Sequence, residues 1–165
     1  MQSGAVNPLT ENQIRSAFVN LSKGAAARVN LPADMDERPW GDLDYLGWQD
    51  PKAPGRRYLV TDLGDQVRAI ALRPSDGAVG RARKTMCDLC LTVGSVGLMV
   101  APRAGRAGQR GDSVGIYICT GLDCSLFVRD IRSNGTIIME ERLTPEQKIA
   151  RLTSNLDTFI ARVLK

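Results

Sequence analysis

Four cysteines stand in two pairs, and their spacing is typical of a metal site. The first pair is Cys87-Asp88-Leu89-Cys90, and the second, after twenty-eight intervening residues, is Cys119-Thr120-Gly121-Leu122-Asp123-Cys124. Two thiolates in one tight turn can both face one ion, and a second pair completes a tetrahedral cage of sulfur. Four soft anionic ligands select zinc, with an iron–sulfur cluster as the main rival. Because thiolates fill every position and leave none for water or substrate, we predict one structural Zn²⁺ held by Cys87, Cys90, Cys119 and Cys124.

Other interpretations of the cysteines stay open at this point. A thioredoxin-like redox site needs only one Cys-x-x-Cys pair within a βαβ unit, and that pattern is missing here. Four buried cysteines without a metal are a second alternative. The four-residue gap between Cys119 and Cys124 is also wider than the usual two. Nevertheless, a Cys-x-x-Cys turn, two strands and a cysteine at a helix start form the layout of a treble-clef zinc finger.

The composition argues against an enzyme. The 165 residues include no histidine, which excludes Ser–His–Asp and Cys–His nucleophile systems and His-ligated catalytic metals. One acidic cluster lacks the regular spacing of metal ligands, and we expect it to be a solvated loop. Its members are Asp34, Asp36, Glu37, Asp42 and Asp44. We therefore predict no catalytic residue and no small-molecule substrate.

The positive charge is concentrated around the cysteines. The net charge of the chain is +4, and residues 81–132 alone carry eight basic and four acidic side chains. A basic face of this kind suits phosphate or carboxylate groups of a partner. The alternative is that these residues offset four thiolates and one Zn²⁺, which sum to about −2. The candidate partner-binding residues are Arg81, Arg83, Lys84, Arg103, Arg106, Arg110, Arg129 and Arg132.

The chain pattern predicts an α+β protein with a small antiparallel β-sheet and helices at both ends. Thr10 and Gln13 have the spacing of a capping box, and the apolar pattern that follows predicts one helix ending at Pro32. The acidic, aromatic stretch from Asp34 to Asp50 has no clear periodicity, and we predict loops and turns packed on the core there. Thr144 and Gln147 predict a terminal helix with one apolar face.

Strands are predicted between these helices. Residues 58–60 and 67–72 flank Gly64-Asp65, which is a hairpin signal. Further strands are expected over 96–100 and 114–119, and a short helix over 125–132. Tyr117 and Phe127 are expected in the core rather than on a base-stacking surface. We predict an N-terminal helix and hairpin region over 1–80 and a zinc-finger module with its terminal helix over 81–165, or one continuous domain.

The chain shows no targeting signal and no membrane-spanning run. Residues 1–8 have no basic segment followed by an apolar one, and no apolar run approaches the roughly 20 residues of a spanning helix. We expect a cytoplasmic protein with no membrane partner. Cysteines stay reduced in that compartment, which favours metal ligands over disulfides.

The cysteine segment resembles the treble-clef zinc finger of the elongation factor G-binding proteins, the FusB-type fusidic-acid-resistance family. The residues that carry the resemblance are Met86-Cys87-Asp88-Leu89-Cys90, Gly115-Ile116-Tyr117-Ile118-Cys119 and Asp123-Cys124-Ser125. Both cysteine spacings match the family pattern. The resemblance is strongest over about 81–132 and extends more loosely upstream, through the region of Trp48, to the first helix.

The resemblance implies a cytosolic protein that docks on elongation factor G through its zinc finger and modulates release of the factor from the ribosome. It implies zinc ligation by the four cysteines and a partner surface among the basic residues around them. The resistance proteins carry an additional N-terminal helical bundle, for which this chain has only one long helix. The alternative function is a zinc-dependent protein that contacts RNA or ribosomal phosphates through its Arg-rich face.

Overall fold

A computed structural model of the protein describes residues 6–63, 66–75, 83–132 and 142–165. One antiparallel sheet of six strands forms the centre of these residues, and helices flank it. This confirms the predicted α+β class. The helices are α1 (Glu11–Ala17), α2 (Lys23–Ala27), α3 (Gly105–Gln109), α4 (Cys124–Val128) and α5 (Pro145–Leu164).

The sheet runs in the order β1-β2-β3-β5-β4, and β6 pairs with β5. β5 is the longest strand and pairs with three others, so it joins the first three strands to the cysteine segment. The strands are β1 (Leu46–Gln49), β2 (Arg57–Thr61), β3 (Arg68–Pro74), β4 (Arg83–Met86), β5 (Val93–Pro102) and β6 (Ser113–Cys119). The division near residue 80 falls among residues outside this description and stays a prediction.

Alternation along β2 creates two hydrophobic cores. Leu59 points into the cluster that contains α5 and the four cysteines. Tyr58 and Val60 point the other way, into the cluster that contains Ile14 of α1. Successive side chains of a strand lie on opposite faces, so this strand is buried on both sides and holds the N-terminal helices and the zinc-finger segment to one sheet.

The terminal helix agrees with its prediction. Thr144 and Gln147 form a capping box in which each side chain bonds the other residue's backbone N–H. The whole predicted apolar face is buried, and it comprises Ile149, Leu152, Leu156, Phe159, Ile160 and Val163. These side chains share one core with the four cysteines, so α5 packs against the cysteine segment.

The prediction of a single N-terminal helix is wrong. The Thr10–Gln13 capping box is present, but α1 ends at Ala17 and α2 begins only at Lys23. Phe18 leaves the helix and forms a parallel bridge with Ala69 of β3. Asn20 then donates to the carbonyls of Ala71 and Pro102 and accepts from the Ala71 N–H. These contacts with the sheet outweigh the local helical pattern.

The prediction of loops over 34–50 is only partly right. Two short 3₁₀ turns, Met35–Glu37 and Trp40–Asp42, precede β1. β1 lacks the polar–apolar alternation of an ordinary strand because its first three residues, 46–48, are all buried. β4 and α3 also lie where no element was predicted.

The hairpin of β2 and β3 is confirmed by its antiparallel register, while its predicted turn, Gly64-Asp65, lies outside the described residues. β5 and β6 confirm the two later strands, and α4 is shorter than the predicted helix over 125–132. Within the described ranges, no helix is both long and apolar enough to cross a membrane.

Candidate metal centre

Four separate pieces of backbone bring the cysteine sulfurs together. Cys87 directly follows β4, Cys90 lies in the turn after it, Cys119 ends β6, and Cys124 begins α4. All four side chains are buried. Their Sγ atoms lie within 4.8 Å of one another, so the predicted ligand residues form one cluster.

The first cysteine turn is a tight loop that the backbone closes on itself. Leu91 has a left-handed backbone, with φ of 57°, and its N–H donates to the Cys87 carbonyl at 3.0 Å. The Cys87 N–H donates to Thr92. The Leu89 N–H donates to the Cys87 Sγ at 3.3 Å. These bonds aim the Cys87 and Cys90 sulfurs to the same side of the turn.

The second cysteine turn is wider and rests on β1. Leu122 also has a left-handed backbone, with φ of 56°, and its N–H donates to the Cys119 carbonyl. Its side chain packs on Gly47, where an added Cβ would lie 2.8 Å from the Leu122 Cβ. The absence of a side chain at Gly47 therefore lets β1 approach the turn closely.

The sulfur positions fit a tetrahedral metal ion. The Cys87 and Cys124 Sγ atoms are 3.7 Å apart, and those of Cys90 and Cys119 are 3.6 Å apart. Zinc–sulfur bonds of about 2.3 Å at tetrahedral angles place the sulfurs about 3.8 Å from one another. The short distances cross between the two turns, so an ion at the centre would tie both turns together.

The four buried thiols are close enough to change one another's pKa values. Hydrogen bonds from Cys119 and then Cys124 lower the pKa of the Cys87 thiol well below its usual range. Hydrogen bonding with Cys119 and Cys87, together with burial, raises the pKa of the Cys124 thiol. The four buried thiols therefore shift one another's pKa values in opposite directions. A dication at the centre would let all four ionise.

Comparison with known proteins agrees with this geometry. Residues 13–163 match the family described as the FBP C-terminal treble-clef zinc-finger. The chain belongs to this family. The match spans far more than the cysteine segment, and it confirms both the treble clef and the FusB-type resemblance. The four clustered cysteines are accordingly those of a zinc-finger protein.

A solved structure described as the fusidic acid resistance protein FusC has a similar fold. The TM-score is 0.60 and the identity is 18%, and the alignment covers 98% of this chain. The chain spans 60% of that structure's length. At this identity the likeness shows the fold alone. No curated protein matches the sequence.

Contacts from β6 and α5 hold the first turn of this FBP-type zinc finger. The Asp88 N–H donates to the Tyr117 carbonyl at 2.7 Å, and the Asp88 carboxylate accepts the Tyr117 N–H at 2.8 Å. Asn155 of α5 donates to the Leu89 carbonyl at 3.0 Å. No local pattern in the sequence predicts these contacts, since each joins residues at least 29 positions apart.

A buried ion pair holds the second turn of the zinc finger. Arg129, next to α4, donates from its two terminal nitrogens to the Asp44 carboxylate at 2.7 and 3.0 Å. The Arg129 side chain is 9% exposed and that of Asp44 is 0% exposed. The Asp44 N–H also donates to the Ser125 hydroxyl at 2.8 Å.

Two expectations are corrected by this pair. Asp44 does not belong to a solvated acidic loop, although Asp34, Asp36 and Glu37 are exposed as expected. Arg129 does not lie on an exposed basic face, because its guanidinium is satisfied inside the protein. The ion pair of Arg129 with Asp44 therefore joins the end of α4 to the segment before β1.

The other predicted basic residues lie in different settings. Arg103 is half-buried and donates to the Arg162 carbonyl near the end of α5, so it caps that helix. Arg132 is exposed and paired with Asp123 at 3.0 Å. Arg81 lies outside the described residues. The exposed members of the set that form no ion pair within the described ranges are Arg83, Lys84, Arg106 and Arg110.

The two aromatic residues of the cysteine segment differ in burial. Phe127 is half-buried and packs against the main core, in partial agreement with its prediction. Tyr117 is 43% exposed, so its assignment to the core is wrong. Its backbone is held by Asp88, and its ring stands on the solvent side of β6.

Proposed function

We propose that this chain binds one structural Zn²⁺ through Cys87, Cys90, Cys119 and Cys124. The observation that supports the proposal is the cluster of four buried sulfurs within 4.8 Å of one another, in which the Cys87–Cys124 and Cys90–Cys119 distances match a tetrahedral zinc site. Since all four ligand positions are cysteine sulfur, the ion has no open position for water or substrate. The ion thus stabilises the fold, and the protein works as a non-enzymatic binding module.

The proposed partner is elongation factor G, in the cytoplasm. Membership of the FBP family supports this choice. On the chain itself, four exposed basic residues form no ion pair within the described ranges, and their guanidinium and ammonium groups can pair with carboxylates of a partner. Arg83 and Lys84 lie on β4 just before the first cysteine turn, whereas Arg106 and Arg110 lie at the opposite end of the β5–β6 hairpin. Docking through these residues would modulate release of the factor from the ribosome.

Charge reversal at two of these exposed arginines tests their part in binding the proposed partner. The variant Arg106→Glu/Arg110→Glu is expected to weaken binding to purified elongation factor G about 10-fold or more, measured by titration calorimetry at low salt. The control is Lys23→Glu/Arg28→Glu, which makes the same change of charge at exposed residues of the α2 segment. The control should bind like the unmodified protein.

The first of two results would contradict the proposed partner, and the second would contradict the proposed role of Arg106 and Arg110 in binding it. The first is no complex between elongation factor G and folded, zinc-loaded protein. The second is equal binding by the two charge-reversed variants. If the chain instead bound ribosomal RNA with an affinity that fell steeply with salt, the alternative function would take its place.

A further inference from the structure

One edge of β6 is only partly paired within the described ranges. The other edge pairs with β5, and no further described strand joins β6. At the cysteine end of the open edge, Asp88 accepts the Tyr117 N–H and donates to the Tyr117 carbonyl. Leu98 lies directly opposite Tyr117 in β5, and its carbonyl accepts the Ser75 N–H instead. The backbone groups of Tyr117 therefore point away from β5.

Two further residues of β6 present their backbone groups to this open edge. The direction of the N–H and C=O groups alternates along a strand, so Ser113 and Gly115 point theirs to the same side as Tyr117. Both residues are exposed, and no described residue forms a hydrogen bond with these groups. A row of unpaired donors and acceptors on a sheet edge can pair with another extended chain.

A cavity of about 270 Å³ lies beside the open edge, between β6 and α5. Its apolar lining is formed by Leu89, Ile116 and Phe159, which are all buried. Ile116 lies next to Gly115 and on the α5 side of β6. Since alternate side chains of a strand share one face, a strand added to the open edge would direct a side chain into the cavity opposite Ile116.

The two ends of the cavity carry opposite charges. Asn155 of α5 bonds the first cysteine turn, and the Val163 carbonyl bonds the residue before α3, so α5 runs towards the start of β6. Arg162 therefore lines the end near the start of β6, and Asp88 lines the other end. The Asp88 carboxylate already accepts an N–H. Arg162 is exposed and forms no ion pair within the described ranges, so its guanidinium suits a carboxylate of a bound chain.

We propose that the open edge of β6 and the cavity beside it bind an extended peptide segment of a partner protein. The segment adds as a strand along Ser113 and Gly115, whose backbone groups supply the affinity. Its residue opposite Ile116 is apolar and fills the cavity. The residue two positions away, towards the start of β6, shares that face and carries a carboxylate that pairs with Arg162. This recognition does not depend on which partner the exposed basic residues bind.

Selection of random linear peptides displayed on phage, against the zinc-loaded protein, tests the proposed recognition. The selected sequences should share an apolar and an acidic residue two positions apart. A synthetic copy of a selected peptide should slow the exchange of the Ser113 and Gly115 amide protons, measured by NMR. At a peptide concentration about ten times its Kd, exchange should slow about 10-fold, because only the unbound fraction exchanges freely. This measurement needs no variant to fold.

A proline on the open edge tests the strand pairing. Gly115→Pro removes the outward N–H and leaves the hydrogen bonds between β5 and β6 intact, so the selected peptide should bind about 10-fold more weakly. The control is Gln49→Pro on β1, the edge strand at the far end of the sheet. Gln49 is exposed, and its N–H also points outward, since the Asp50 N–H bonds Arg56. The control should bind the peptide like the unmodified protein.

The charge pair has its own test. Arg162→Gln should weaken binding of the acidic peptide about 3-fold, and it should leave unchanged the binding of a copy in which glutamine replaces the acidic residue.

The proposed peptide site would be overturned by any of three results. These are no enriched sequence, slowed exchange at other amides but not at Ser113 and Gly115, and equal binding by Gly115→Pro and the unmodified protein. The zinc content of the same sample is measured in parallel. A protein that holds zinc but binds no peptide would fail this inference alone and leave the proposed zinc site standing.

Discussion

Replacing Cys87 with serine is expected to abolish stoichiometric zinc binding and to unfold the cysteine segment. Cys87 holds the first turn through its backbone and supplies one of the four sulfurs. Structural zinc sites contribute about 10–16 kcal/mol to the folding of small zinc fingers, which is comparable to the whole net stability of a typical domain, roughly 5–15 kcal/mol. Much of that contribution is lost with one ligand.

The expected loss reaches beyond the two turns. The sulfurs belong to the same core as Leu152 and Leu156 of α5, so near-ultraviolet circular dichroism and the cooperativity of thermal unfolding should both fall. A strong chelator added to the unmodified protein should reproduce the effect.

Thr120→Ala is the matched control for Cys87→Ser. It removes a half-buried hydroxyl from the second turn whose hydrogen bonds, within the described part of the chain, go to Ser95, and zinc should remain bound. If Cys87→Ser unfolded at the same temperature as the unmodified protein, the cluster would not be a metal site that supports the fold.

Replacing Arg129 with methionine is expected to cost about 3–5 kcal/mol in the free energy of unfolding. The change leaves the Asp44 carboxylate 0% exposed and without the two hydrogen bonds that satisfy it. A buried charge without its partner is among the largest single destabilisations a substitution produces. Urea denaturation of zinc-saturated protein measures the effect.

Arg132→Met is the matched control, because it breaks an ion pair of the same type three residues further along. Arg132 is 58% exposed in its pair with Asp123, and exposed pairs contribute about 0–1 kcal/mol. The double variant Asp44→Asn/Arg129→Met should recover part of the lost stability, since it removes the unpaired charge. If Arg129→Met and Arg132→Met lowered the free energy of unfolding equally, the buried pair with Asp44 would contribute no more to stability than the exposed pair.

The features that could be predicted from the sequence depend on residues that are close together in the chain. Cys87 and Cys90 define a metal turn by themselves, and Thr144 and Gln147 define a helix start through a local capping box. The apolar face of α5 follows from helical periodicity alone. In each case the physical cause lies within one turn or one helix.

The features that the sequence did not predict depend on distant partners. β1 has no alternation because both its faces are buried, and only the packed sheet shows that. The basic character of Arg129 suggested a surface, yet its partner Asp44 lies 85 residues earlier. The break after α1 likewise depends on the bridge of Phe18 to β3.

Tyr45 illustrates the same limit at the candidate site. In the sequence it is one aromatic residue in an acidic stretch, with no spacing that relates it to a cysteine. The fold buries Tyr45 in the same core cluster as Cys124, which is 79 positions later in the chain. Residues that are buried with a cysteine from a distant segment carry no local signal.

The metal content of protein purified without added metal tests the central claim most directly. Inductively coupled plasma mass spectrometry, with native mass spectrometry of the same sample, should give one zinc per chain. Cys87→Ser, measured in parallel, should give almost none. A zinc content well below one per chain, or iron in its place, would contradict the account of a closed four-cysteine zinc site.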